Sequence, residues 1–140
     1  MLKDYKTITL EEQDSIAILK LNRPEKLNAF NMQMLEDMLD AIDHVDADDG
    51  LKSLIISGSG RAFCAGADLS SGEKTFDKSF DTRGRFESEF RRDAGGILAL
   101  RIYNSLKPVI AACNGDAVGV GATMQLPACL LYTSPSPRDP

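Results

Sequence analysis

The sequence predicts a single α/β domain, and the order of its apolar patterns supports this fold class. Two β-rich runs near the N-terminus are followed by an amphipathic helix, and two later apolar runs have the length and composition of buried strands. Each of those later runs ends in a loop that contains glycine. Of the 140 residues, 43% are apolar and 26% are charged, a balance that suits one modest globular domain.

The first two strands are predicted at residues 6–10 and 15–21, which are rich in β-branched and apolar side chains. The polar residues 11–14 separate them, and this arrangement favours an antiparallel pair. Pro24 then forces a turn, and Asn31 is placed to cap the helix that follows.

Residues 32–45 are predicted to form an amphipathic helix, because apolar side chains recur there at helical spacing with acidic ones opposite. The apolar face comprises Leu35, Met38, Leu39, Ile42 and Val45, and the acidic face comprises Glu36, Asp37, Asp40 and Asp43. The single histidine, His44, falls on the polar face. It is therefore predicted to be a surface residue rather than a catalytic one.

Two buried strands are predicted at residues 53–58 and 109–113, and they should lie beside each other in the interior. Between them, the polar residues 70–85 predict an irregular segment. A second long helix is predicted over residues 86–106, weakened by two adjacent glycines, and a short helix over residues 122–126.

Charge and cysteine usage exclude several functional classes. The net charge of −5, with no dense block of Lys or Arg, argues against nucleic acid or an anionic membrane as a main partner. The N-terminus lacks the apolar core of a signal peptide, so a cytoplasmic location is predicted. Cys64, Cys113 and Cys129 fit no metal-ligand spacing, which predicts reduced thiols and no metal site. Cys64 is expected to be a packed thiol rather than a nucleophile, because no base is placed to activate it.

The two loops that follow the buried strands carry the candidate chemistry. Residues 60–69 read GRAFCAGADL, where Gly66 would let another group approach the main chain closely. The second loop contains Gly115, Gly119 and Gly121 and leads into the predicted short helix. Backbone N–H groups at such places bind anions or developing negative charge. If the loops face each other, one carbonyl oxygen could accept from both, which is an oxyanion hole.

Three ordered segments, LNRPEKLNAF, GRAFCAGADL and LKPVIAACNGDAVGVGA, resemble the crotonase superfamily of enoyl-CoA hydratases and isomerases. The resemblance implies a repeated ββα spiral, an acyl-CoA or enoyl-CoA substrate, and no separate cofactor, since CoA is part of that substrate. Whole members add a C-terminal helical region that builds trimers. This chain is expected to be truncated before that region, with a homotrimeric or hexameric full-length parent.

By position, the resemblance implies that the backbone N–H groups of Ala67 and Val120 are the oxyanion donors. The residues implied to bind substrate are Lys26, Leu27, Ala29, Ala65, Gly66, Asp68, Leu69, Gly119 and Thr123. Lys26 is expected to meet a CoA phosphate or to be a solvated turn lysine. Asp68 is expected to contact the ligand or to cap the turn after the loop.

Thr123 departs from the pattern of many hydratases, which carry a glutamate at this position. A threonine hydroxyl does not ionise near neutral pH and cannot serve as a general base. A second family glutamate would lie beyond residue 140, and Glu73 and Asp77 are the only nearby carboxylates by sequence. Two functions therefore stay open. One is an enzyme of the hydratase or isomerase type, and the other is a catalytically inactive truncated fragment or a CoA-thioester-binding module without a base.

The C-terminal residues 129–140 contain Pro135, Pro137 and Pro140, which predict no regular element. The expected division is a crotonase-like part over residues 1–128 and a tail over residues 129–140 that does not belong to the family. The alternative is a genuine flexible C-terminus. Loss of part of the spiral core would expose apolar surface, so low solubility is expected.

Overall fold

A computed structural model of the chain describes residues 2–68 and 94–133, except the side chain of Thr133, and it has the α/β architecture that the sequence predicts. The strands are β1 (Lys3–Asp4), β2 (Ile8–Gln13), β3 (Ile16–Leu21), β4 (Ser53–Gly58), β5 (Ala62–Cys64), β6 (Val109–Cys113), β7 (Asp116–Ala117) and β8 (Leu130–Thr133). A six-stranded sheet has the order β1-β2-β3-β4-β6-β8, and β5 and β7 form a second sheet. The first three strands pair antiparallel, whereas β3, β4, β6 and β8 pair parallel.

Within the described residues, three α-helices accompany the strands: α1 (Met32–Ala47), α2 (Ala94–Tyr103) and α3 (Val120–Thr123). The predicted cap of α1 is confirmed, because the Asn31 side chain accepts a hydrogen bond of 2.8 Å from the Met34 N–H. A 3₁₀ turn at Pro24–Lys26 ends with Leu27 in the left-handed region. This turn leads the chain from β3 towards α1.

The main core lies between α1 and the sheet. Leu10 on β2 is opposite Leu19 on β3, and both are fully buried. Leu35, Met38 and Ile42 on α1 are also fully buried and belong to the same apolar cluster. Burying each such side chain contributes about 1.5–3 kcal/mol, so the predicted apolar face of α1 fastens the helix to the sheet. The interior neighbours β4 and β6 pair as predicted, with Ile55 opposite Ile110.

Two polar residues of α1 lie elsewhere than predicted. Asp37 was expected on the exposed face, but it is buried and accepts hydrogen bonds from the Thr7 N–H at 3.0 Å and the Thr7 hydroxyl at 2.7 Å. Those bonds compensate for the loss of water around the carboxylate. The predicted surface position of His44 is also wrong, because the residue is half-buried. Its Nε2 is enclosed and has no hydrogen-bond partner within residues 2–68 and 94–133.

Several element boundaries also differ from the predictions. β2 begins two residues later than expected and continues through the polar residues to Gln13, because these residues pair with the start of β3, where Gln13 is opposite Ile16. The last helix, α3, begins at Val120 and ends at Thr123, rather than covering residues 122–126.

The prediction of no regular element over residues 129–140 is wrong at Leu130–Thr133, which forms β8. Its register pairs Ile110 of β6 with Leu130, and the Cys129 N–H donates to the Val109 carbonyl at 2.9 Å. The prolines do not prevent this strand, because the first of them, Pro135, comes after its last residue. The assignment of these residues to a tail outside the family stays a prediction.

Some predicted features lie outside the described residues. They are the irregular segment at residues 70–85 with Glu73 and Asp77, the candidate site residue Leu69, and the start of the second helix at residues 86–93. Across residues 2–68 and 94–133, no helix combines the length and the apolar character needed to cross a membrane.

Candidate active site

The two glycine-containing loops lie side by side because β5 and β7 pair in parallel. Ala62 is opposite Asp116 and Cys64 is opposite Ala117, and the Val118 N–H extends this contact by donating to the Cys64 carbonyl at 3.0 Å. The chain therefore leaves both strands at the same edge of the small sheet. The residues that follow, from Ala65 and from Val118, are brought together there.

Glycine is required where the loops touch. Gly66 has a φ of +102°, and a Cβ at this position would lie 3.2 Å from the Val118 carbonyl oxygen. Gly119 has a φ of +56°, and its Cβ would lie 3.9 Å from the Gly66 Cα. Both backbone conformations are ones that other residues rarely adopt. The two main chains thus approach each other with no side chain between them.

The first predicted donor, Ala67, lies in an isolated parallel bridge with Phe30. The Phe30 N–H donates to the Gly66 carbonyl at 2.7 Å, and the Asp68 N–H donates to the Phe30 carbonyl at 2.8 Å. Ala67 lies between these two bonds, and its own N–H donates to no group within the described part of the chain. Ala67 is also exposed, so a ligand can approach this residue.

The second predicted donor, Val120, is the first residue of α3. The first N–H groups of a helix have no partner within it, and the Val120 N–H donates to none of the groups in residues 2–68 and 94–133. The side chain of Val120 is held by α2, since a Cβ on Gly95 would lie 2.9 Å from the Val120 Cγ2. On the other side, Gly121 packs so closely on Cys64 that its Cβ would lie 2.8 Å from the Cys64 Cβ.

Residues of the first turn complete the predicted set. The Ala65 N–H donates to the Leu27 carbonyl at 3.0 Å, which joins this turn to the first loop. Leu27 and Ala29 are half-buried, whereas Lys26 is exposed. The structure thus brings the turn and both loops to one place, and it leaves the Lys26 ammonium facing water.

Thr123 lies beside the loops and Asp68 lies within the first loop, and the two residues have different surroundings. Thr123 is exposed on α3, and its hydroxyl lies 3.4 Å from the Val120 carbonyl oxygen within the same turn. Asp68 forms an ion pair of 2.8 Å with Arg23, and only 11% of its side chain is exposed. The two roles predicted for Asp68, a cap of the turn and a contact with the ligand, both stay predictions.

Three polar residues that the sequence argument did not identify hold the site together. Arg23 bonds to Asp68 and Ala29, and Asn28 is fully buried. Asn114 accepts from the Gly58 N–H at 3.0 Å and donates to the Gly60 carbonyl at 3.0 Å. All three belong to the segments that carry the family resemblance, where they are polar residues among mostly small or apolar ones. That combination was the available signal.

The thiol of Cys64 lies directly beneath the first loop. It is fully buried, as predicted for a packed thiol, and that burial raises its pKa above the ordinary value. The neutral thiol is therefore the stable form, and it lacks the character of an activated nucleophile. No group of three or more His, Cys, Asp or Glu side chains that could hold a metal ion occurs among the described residues.

A comparison with known proteins identifies relatives along most of the chain. The family model of the enoyl-CoA hydratases and isomerases matches residues 11–138. The chain is 42% identical over 127 residues to the enoyl-CoA hydratase ACTT3 of Alternaria alternata, covering 91% of this chain and 40% of that protein. It is 37% identical over 122 residues to the 1,2-epoxyphenylacetyl-CoA isomerase of Escherichia coli strain K12, covering 81% of this chain and 42% of that protein.

Solved structures show the same likeness. The chain aligns with an enoyl-CoA hydratase/isomerase from Xanthobacter autotrophicus Py2 with a TM-score of 0.78 and 29% identity, covering 93% of this chain and 46% of that one. The described residues thus have the crotonase fold over the part of it that they cover. The chain spans about 40% of the length of these curated relatives and about half that of the solved structure.

Proposed function

Because this chain belongs to the enoyl-CoA hydratase/isomerase family, we propose that it binds an acyl-CoA thioester and that the whole protein acts on an enoyl-CoA. The observation that carries the proposal is the placement of two backbone N–H groups, on Ala67 and Val120, in adjoining loops. Neither group donates to another part of the described chain. A cytoplasmic location and assembly into trimers or hexamers stay predictions.

The thioester carbonyl oxygen accepts hydrogen bonds from both N–H groups in this proposal. When a base removes a proton next to the carbonyl, or when water adds to the conjugated double bond, negative charge develops on that oxygen. Donors already aimed at it stabilise that charge more than they stabilise the neutral ground state. Removing one such donor costs on the order of 10²–10³ in rate where it has been measured.

The CoA part of the substrate would lie along the first turn. The exposed ammonium of Lys26 is a suitable partner for a phosphate. Leu27, Ala29 and Ala65 offer small apolar surface and backbone groups next to it. In this assignment Gly66 and Gly119 act through their backbone conformation, which lets the thioester approach the main chain.

Proton transfer needs a base that Thr123 cannot supply. Its hydroxyl does not ionise near neutral pH, and the Asp68 carboxylate is already paired with the Arg23 guanidinium. These two observations support the second candidate function for this 140-residue chain, a thioester-binding module with little turnover. Binding is therefore measured before turnover.

The test is calorimetric titration of the folded chain with CoA and with an enoyl-CoA. Tighter binding of the thioester than of CoA is expected, since only the thioester offers a carbonyl oxygen to Ala67 and Val120. Gly66→Val should abolish this preference, because its side chain would meet the Val118 carbonyl and the backbone at φ +102° suits only glycine. Gly50→Val, at a glycine outside the loops, is the matched control.

Equal binding of CoA and thioester by the folded chain would refute the proposed site. Preserved preference in Gly66→Val would refute the role assigned to the loop. Turnover of the enoyl-CoA by the purified chain would instead exclude the binding module and show that a base is present.

A further inference from the structure

Residues 65–67, the part of the first loop that carries the Ala67 N–H, have no side chain large enough to hold this N–H in place. Ala65, Gly66 and Ala67 offer only methyl groups and hydrogen, and the φ of +102° at Gly66 is a conformation that glycine leaves easily. A donor that stabilises developing charge must be oriented before the reaction starts. Other residues must therefore fix the direction of the Ala67 N–H.

Arg23 reaches this loop from the first turn. One guanidinium nitrogen, Nη1, donates to the Ala29 carbonyl at 2.5 Å, and Nη2 donates to the Asp68 carboxylate at 2.8 Å. Only 15% of the Arg23 side chain is exposed, and 11% of the Asp68 side chain. Charge-assisted hydrogen bonds in such surroundings are roughly twice as strong as neutral ones.

The two groups that Arg23 joins lie on either side of the Phe30–Ala67 bridge. Ala29 directly precedes Phe30, and Asp68 directly follows Ala67. The bridge itself consists of two backbone hydrogen bonds, of 2.7 Å and 2.8 Å, which form only when these segments keep their register. The Arg23 guanidinium thus spans the Phe30–Ala67 bridge, since it bonds to the residue before Phe30 and to the residue after Ala67. These side-chain bonds hold the two segments of the bridge together.

We infer that Arg23 is a positioning residue for the oxyanion donor Ala67, acting through Asp68 and Ala29. The inference rests on the proposed role of Ala67. A direct role for Arg23 in binding a CoA phosphate is disfavoured, because the Asp68 carboxylate balances its charge and both side chains are largely enclosed.

The test compares Arg23→Ala, Arg23→Lys and Asp68→Asn with the wild-type chain. Arg23→Lys keeps the charge but cannot donate from two nitrogens at once, and Asp68→Asn keeps an accepting oxygen without the charge. Arg61→Ala, at an exposed arginine next to β5, is the matched control. If Arg23→Ala does not fold, the two conservative variants decide.

Two measurements are made on each folded variant. Calorimetry gives the preference for enoyl-CoA over CoA, which should fall by about tenfold in Arg23→Lys and Asp68→Asn while the affinity for CoA itself is unchanged. Amide hydrogen exchange should show faster exchange of the Asp68 N–H, which donates to Phe30 across the bridge. Arg61→Ala should match the wild-type chain in both.

The outcomes separate this inference from the proposed function. The positioning role of Arg23 is overturned if both conservative variants keep the wild-type preference for the thioester and the amide hydrogen exchange at residue 68 is unchanged. A second outcome is that the wild-type chain shows no preference for the thioester, while the Asp68 N–H exchanges faster in the variants. This outcome overturns the oxyanion site and supports the stabilisation of the loop by Arg23. A parallel loss of affinity for CoA would indicate general damage to the site and also count against positioning.

Discussion

Single asparagine side chains connect the candidate site to the core. Asn28 is fully buried and accepts from the Arg23 N–H at 2.8 Å. Its amide donates to the carbonyls of Ser59 at 2.9 Å and Ala62 at 3.0 Å. The Ala62 carbonyl also accepts from Asn114 at 3.1 Å, so two asparagines from distant parts of the sequence meet at one acceptor. Each asparagine side chain thus links separate backbone segments through hydrogen bonds, as backbone pairing does between strands.

We expect Asn28→Ala to lower the free energy of unfolding by about 2–4 kcal/mol, because it leaves one partly buried N–H and two carbonyls without this partner. Urea denaturation followed by circular dichroism measures the loss. Asn104→Ala, at an exposed position after α2, is the control and should be close to neutral. Equal stability of the two variants would show that water replaces the Asn28 bonds.

Gly121→Ala is expected to destabilise the chain by about 1–3 kcal/mol through overpacking. A Cβ at this position overlaps the Cys64 carbonyl, and the nearby atoms are backbone and a Cβ that have little room to move. Gly50→Ala, where the Cβ would meet only the Asp48 side chain at 3.2 Å, is the control. Thermal melting of both variants decides, and a Gly121→Ala chain as stable as the control contradicts the close packing.

The ends of α1 and α2 are tied to each other by charged groups. Arg101 on α2 donates to the Asp46 carboxylate at 2.6 Å and to the Asp43 carboxylate at 3.0 Å on α1. The Ser105 hydroxyl and the Leu106 N–H also donate to Asp46, at 3.0 Å and 3.2 Å. Burial alone would raise the pKa of Asp46, but these hydrogen bonds outweigh it and hold the pKa below the ordinary value of 3.8.

A lowered pKa in the folded chain means that the unfolded chain binds more protons as the pH falls. The stabilisation from Asp46 is therefore present above about pH 4 and is lost as the pH falls through the pKa of the folded chain. We expect Asp46→Asn to be less stable than the wild type by about 1–3 kcal/mol at pH 7, with a smaller loss of stability between neutral and acidic pH.

Denaturation curves at several pH values measure this difference, with Asp49→Asn as the control at an exposed aspartate. If the stability of Asp46→Asn falls with pH as steeply as that of the wild type, the link between α1 and α2 does not depend on the Asp46 charge.

The elements that the sequence predicted correctly are those with a helical apolar period or a sustained apolar run. α1 has a clear helical period, and β3, β4 and β6 are runs of apolar and β-branched residues long enough to be recognised. β5 and β7 have three and two residues and could not be recognised by period. They exist because Asn114 and the glycines allow close backbone approach, a tertiary effect. β8 was missed because prolines close behind it suggested an irregular tail.

In the candidate site, too, some residues were predictable from the local sequence pattern, whereas others depend on contacts between distant parts of the chain. The predicted residues Leu27, Ala65 and Gly66 are brought together through backbone hydrogen bonds and close contacts. The Arg23–Asp68 pair joins residues 45 positions apart in sequence, and nothing in the local pattern at either residue indicates the other. Such pairs depend on the register of distant segments, which composition and periodicity do not specify.

Over the whole molecule, apolar side chains remain exposed at one edge of the main sheet. β8 is the last strand in the sheet order, and its Leu130 and Tyr132 are 58% and 65% exposed. A groove of about 520 Å³ lies next to β8. It is lined in part by Leu126 and Leu131, which are also exposed. An edge strand with apolar side chains is a template for pairing with another chain.

We therefore expect the purified chain to self-associate through β8. Replacing Leu130 and Tyr132 together by Lys should shift the chain towards monomer, because lysines on an edge strand disfavour pairing between chains. The matched control is Leu100→Lys, which removes a leucine of similar exposure, 63%, from α2. Sedimentation velocity over a range of protein concentrations measures the association. Equal effects of both changes would indicate unspecific apolar contact, and a monomeric wild-type chain at every concentration would contradict the prediction.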